Sequence, residues 1–137
     1  MRAGRAIANL VGMMLFVQVI LGGSSVFLGV PILYHLIWGT LTFAVLIAAT
    51  VFGFRDYGSK SNLFRVGAAS IVIFVVQGIL GLISFGSSVA VVIHLTNAFV
   101  LAVVVTYMIS FADSLDKSRP STTPAAQPPV SQSSERV

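Results

Sequence analysis

Val17-Gln18-Val19-Ile20-Leu21-Gly22, with Pro31-Ile32-Leu33-Tyr34-His35-Leu36 close behind it, is answered 59 positions later by Val76-Gln77-Gly78-Ile79-Leu80-Gly81 and His94-Leu95. His35 and His94 are the two histidines of the 137-residue chain. Each lies inside an apolar stretch long enough to cross a bilayer. Two histidines at matched positions of a membrane repeat point to one ligand shared between them.

The chain around this repeat is 56% hydrophobic and 9% charged, with a mean hydropathy of +0.97. Such a composition excludes a water-soluble globular domain. Four apolar spans follow one another, Ala6–Leu28, Pro31–Phe54, Leu63–Phe85 and Val89–Phe111, each supplying about the 20 residues that cross a hydrocarbon core of about 30 Å. Lipid leaves backbone groups no water to bond to, so a span is either a helix or a strand of a closed barrel. The runs are too long and too evenly apolar for barrel strands of about 9–11 alternating residues. The expected fold is therefore all-α: a bundle of four transmembrane helices over residues 1–113, followed at 114–137 by a disordered tail rich in Pro, Ser, Thr and Gln. The chain has no cysteine, which excludes a disulfide, a thiolate metal site and a cysteine nucleophile. The first span has a basic flank like a signal peptide, but its Gln18-x-x-Leu21-Gly22 belongs to the repeat and is read as part of the working protein.

All eight Lys and Arg residues fall in three places: Arg2 and Arg5; Arg55, Lys60 and Arg65; and Lys117, Arg119 and Arg136. With four helices these places share one side. The connections around Gly29-Val30-Pro31 and Gly86-Ser87-Ser88 carry no charge, so the positive-inside bias puts both chain ends in the cytoplasm; the expected location is the plasma membrane. The net charge of +4 is then a topology signal. Nucleic-acid binding needs a folded basic surface outside the membrane, and nothing of that kind remains.

Each repeat unit contains two helices, so the second unit enters the membrane from the same side as the first. The fold is thus expected to be two parallel two-helix repeats, with the second and fourth helices diagonal across the bundle and their histidines at one depth. At 1.5 Å per residue, His35 and His94 come roughly 6–8 Å below the outer helix ends, with Gln18 and Gln77 deeper, at about 15 Å. Two facing imidazoles suit the axial positions of a haem iron, because bundles build cofactor sites from side chains on facing helices. A neutral imidazole is a good iron ligand and tolerates lipid.

Gly22, Gly23, Gly39, Gly78 and Gly81 remove side-chain volume beside a flat macrocycle, with Tyr34, Trp38, Phe27 and Phe85 around it. The N-termini of the second and fourth helices offer donors and positive dipole ends to propionates. Against this stand blander roles: glycines as close-packing devices and glutamines as interhelical hydrogen-bond partners. Ionisable residues at such depth are rare and usually functional, which weighs the histidines toward a cofactor.

The pattern Gln18-x-x-Leu21-Gly22 with Pro31-x-x-x-His35-Leu36, and Gln77-x-x-Leu80-Gly81 with His94-Leu95, resembles the heme A synthase family across roughly residues 14 to 106. Members commonly consist of two four-helix halves, and this chain looks like one half or a compact four-helix form. The resemblance implies a bis-histidine haem with His35 and His94 as axial ligands. The catalytic half of that family carries a glutamate three residues before the histidine of its second helix; here Ile32 holds that position and Val91 its counterpart. The family's paired outer-loop cysteines are absent too. The chain is therefore more similar to the half that holds a haem b for electron transfer.

The expectation is a membrane b-type cytochrome with one haem b on His35 and His94, and with Gln18, Gln77, Gly22 and Gly81 around it. Lipid and an electron-transfer partner or respiratory complex surround it, as a subunit or a homo-oligomer. Rival readings are a compact heme A synthase acting as an oligomer, a cofactor-free structural or assembly subunit of a respiratory complex, and a small transporter. The last expects helices broken near the midplane, and no proline interrupts these spans.

Overall fold

A computed structural model describes residues 3–118. The chain forms four helices: α1 Ala3–Phe27, α2 Ile32–Tyr57, α3 Asn62–Ile83 and α4 Ser88–Lys117. Each is long and apolar enough to cross a membrane. The expected four spans are all present, with boundaries shifted by a few residues. The larger shift is at the end of α4, which runs to Lys117 instead of stopping near Phe111. Asp113 explains the extension: it sits one turn before Lys117, and its carboxylate takes the Lys117 ammonium at 3.0 Å, an i,i+4 pair that holds the final turn. Helix thus occupies the first four residues of the expected tail, and residues 119–137 lie outside the described residues.

Local chemistry sets the three connections. After α1 the amides of Leu28 and Val30 both bond to the Ser24 carbonyl, Gly29 takes a left-handed φ of 68°, and Pro31, unable to donate, opens α2. Gly58 with φ 80° turns α2 into α3, whose first turn is capped by Ser61 Oγ accepting from the Phe64 amide at 3.2 Å. A single 3-10 turn, Ser84–Gly86, leads to Ser87, which caps α4 by accepting from the Ala90 amide at 3.3 Å.

The helices form a closed square in which α1 touches α2 and α4, α3 touches α2 and α4, and the diagonal pairs make no close approach. All charged residues of the described helices lie at one end of it. There the Arg5 guanidinium meets Asp113 at 2.7 Å and ties α1 to α4.

The core is one-sided along the bundle axis. Ala8, Val11 and Leu15 of α1, Leu46 and Ala49 of α2, Leu63 of α3, and Leu101, Val105, Met108 and Ala112 of α4 make a single buried cluster at the charged end. Their spacing of three and four residues is the inward stripe of a bundle helix. Close approach there depends on small residues: a Cβ on Gly67 would come within 2.6 Å of Thr50 Oγ1, and one on Gly12 within 2.8 Å of Ile109 Cδ1. Toward the uncharged end the shared core stops. From Phe16 to the end of α1, in α2 before Gly39, in α3 after Ser70 and in α4 before Leu101, only Ala90 is buried.

Candidate functional site

Both histidines fall in that open half, and each is half-buried against the helix that precedes it. His35 reaches across from α2 to α1, where its Nδ1 lies 3.1 Å from the backbone oxygen of Gln18 and its Nε2 lies 3.2 Å from Gln18 Nε2. His94 does the same from α4 to α3, with Nδ1 at 3.1 Å from the Gln77 oxygen and Nε2 at 3.1 Å from Gln77 Nε2.

The partners settle the tautomer. A carbonyl oxygen only accepts, so each Nδ1 carries the proton and donates it. An amide nitrogen only donates, so each Nε2 keeps its lone pair and accepts from the glutamine. The amide orientation of Gln77 is fixed independently, since its Oε1 accepts from Asn97 Nδ2 at 2.7 Å. Both rings thus donate Nδ1–H to a backbone carbonyl and turn Nε2 to a removable glutamine amide.

Gly22 and Gly81 make this approach possible. A Cβ on Gly22 would sit 2.9 Å from His35 Cε1, and one on Gly81 would sit 3.2 Å from His94 Cε1. The rings themselves use the room that the sequence assigned to a macrocycle at these two positions. Gly39 serves the Gln18 amide in the same way, since a Cβ there would lie 2.7 Å from Gln18 Nε2. Gly23 and Gly78 have nothing within 4 Å of an added Cβ.

One expectation needs correction. The glutamines do not lie in a layer deeper than the histidines: each is in direct contact with its histidine. Counting rise from each helix end assumed that the paired ends are level. The long imidazole and amide side chains also close part of any offset between Cα atoms. Trp38 is not free to serve only as an apolar wall, since its indole N–H donates to the Met14 carbonyl at 2.8 Å. Tyr34, Phe27 and Phe85 are exposed in the uncharged half.

The structure gathers Gln18, Gly22, His35, Trp38 and Gly39 at the α1–α2 seam, and Gln77, Gly81, His94 and Asn97 at the α3–α4 seam. Among the described residues no hydrogen bond joins the two clusters. Asn97 is a site residue that the sequence reading missed. It donates to the Ile73 carbonyl at 3.2 Å as well as to Gln77, just as Trp38 donates to Met14. The signal was present, because Trp38 and Asn97, like Met14 and Ile73, stand 59 apart; unlike residue types hid the match.

No family model, curated protein or solved structure matches the chain.

Proposed function

We propose that the chain is a membrane b-type cytochrome in which His35 and His94 ligate one haem iron through Nε2, in two parallel helix-pair repeats. The observation that supports this most is the Nδ1–H donated by both rings to backbone carbonyls. Metal-ligating histidines are characteristically oriented by such a bond on the second ring nitrogen, which fixes the tautomer and raises the basicity of the first. A structural histidine has no need to hold a lone pair behind a displaceable amide, twice, in matched settings. The half that holds both histidines is also the half in which the helix pairs share almost no buried core.

A haem bound there supplies one-electron redox chemistry. The chain does the rest: His35 and His94 offer nitrogen donors, the Gln18 and Gln77 carbonyls hold the Nδ1 protons, and Gly22 and Gly81 let the rings approach the preceding helices closely. Asp56 and Asp113 stand at the charged end of the bundle, so the site has no carboxylate of its own among the described residues. That favours electron transfer over synthesis of heme A, which has to handle protons at the reacting group. The charge distribution supports cytoplasmic chain ends; the proposed setting is the plasma membrane, with an electron-transfer partner or within a respiratory complex.

The test is a reduced-minus-oxidised visible spectrum of the detergent-purified chain, expressed with ample haem, with iron measured on the same sample. A six-coordinate low-spin spectrum is expected, lost in His35→Ala and in His94→Ala. A colourless, iron-free preparation would sink the proposal.

A further inference from the structure

The two histidine clusters share their histidine, glutamine and glycine contacts; Ala98 stands at one seam where Gly39 stands at the other, and the hydrogen bonding parts at the register position three residues beyond each histidine. At the α3–α4 seam that residue is Asn97, whose amide has two N–H donors: one bonds to the Ile73 carbonyl at 3.2 Å and the other to Gln77 Oε1 at 2.7 Å. At the α1–α2 seam it is Trp38, whose indole has a single N–H, and the Met14 carbonyl takes it at 2.8 Å. Nothing is left for Gln18. Its Oε1 is buried without a hydrogen-bond partner. Gln77 is thus fastened at both ends of its amide and Gln18 at one.

We propose that Asn97 is a positioning residue that locks Gln77 onto His94, so that the two arms release their histidines unequally and His35 is the first to present a free Nε2 lone pair. The last clause rests on the reading of the histidines as ligands; the lock does not. Turning the Gln77 amide away from His94 breaks two hydrogen bonds, whereas turning Gln18 away from His35 breaks one and relieves an unpartnered buried oxygen. A net hydrogen bond between neutral groups is worth about a fivefold factor in an equilibrium, and that sets the size of the inequality.

The lock is read in the full chain, labelled with 15N and purified in detergent from cells grown without added haem, by hydrogen–deuterium exchange of the side-chain amides. The Gln77 amide should exchange at least about fivefold more slowly than that of Gln18. Asn97→Leu should bring Gln77 to the Gln18 rate, and Asn97→Gln, which keeps an amide donor, should restore part of the protection. Trp38→Asn should slow Gln18 in turn. Equal rates in the unaltered chain, or a Gln77 rate indifferent to Asn97→Leu, would overturn the proposal. The order of release is read by hemin titration of His94→Ala, which retains only His35, against His35→Ala. The first should bind about fivefold more tightly, and equal affinities would overturn that order. Failure of the unaltered chain to bind hemin would overturn the haem reading and with it the ligand order, while the exchange rates still decide whether the lock exists.

Discussion

The backbone oxygen of Gln77 accepts a hydrogen bond from His94 Nδ1–H at 3.1 Å, and so the ring is aimed by the main chain and only capped by the side chain. The same division holds for Gln18 and His35. Removing the cap should leave the aim intact.

Gln18→Ala and Gln77→Ala are accordingly expected to retain haem binding. Each removes an amide that competes for the lone pair, a bond worth about 0.5–1.5 kcal/mol net, so affinity should rise by a few-fold. Spectral titration with hemin measures it. Loss of the six-coordinate spectrum, as in the histidine variants, would mean that the amide, and not the ring, is the ligand.

Gly22→Ala should damage its site more than Gly81→Ala. The added methyl would stand 2.9 Å from His35 Cε1 in the first case and 3.2 Å from His94 Cε1 in the second. Overpacking of this kind costs about 1–3 kcal/mol, here concentrated on the tilt of one ring. Thermal unfolding and the width of the haem bands should both report the ranking, and identical behaviour of the two variants would contradict it.

In the core-bearing half, Gly67→Ala is expected to destabilise the helix bundle by about 1–3 kcal/mol, because its methyl would press to 2.6 Å from Thr50 Oγ1 where α3 meets α2. Gly78→Ala is the control. It has open space and should be neutral or raise stability by up to about 1 kcal/mol through helix propensity. Unfolding in mixed detergent micelles separates the two.

The natural absence of cysteine makes topology directly measurable. Single cysteines at Gly29 and Gly86, in the uncharged connections, should react with a membrane-impermeant maleimide on intact cells, and one at Ser59 only after permeabilisation, as the positive-inside rule requires. The opposite labelling pattern would invert the orientation.

The helices were legible because lipid permits so few alternatives: an uninterrupted apolar run of that length has to be helix, and Gly29, Pro31, Gly58, Ser61 and Ser87 punctuate the chain where helices end. The pairing of Gln18 with His35 was less so, since hydropathy says nothing about which polar side chains meet across a seam. Levels along two helices are set by how far each projects past the turn between them. Asn97 escaped because the repeat was recognised by identical residues, whereas the bond it shares with Trp38 depends only on owning an N–H. The end of α4 was misjudged by counting hydropathy alone, which takes no account of the Asp113–Lys117 pair.

The confinement of the buried core to the charged half gives the two halves separate tolerances to change. Substitutions that empty or crowd residues such as Leu46, Val105 or Met108 act on whether four helices stay together at all. Those around residues 17–35 and 76–94 act on the histidine–glutamine contacts of the two seams, and leave the membrane insertion of the bundle intact. A library mutagenised along the protein should therefore sort into two classes by position, one failing to accumulate in the membrane and the other accumulating well inserted but altered at the histidine seams.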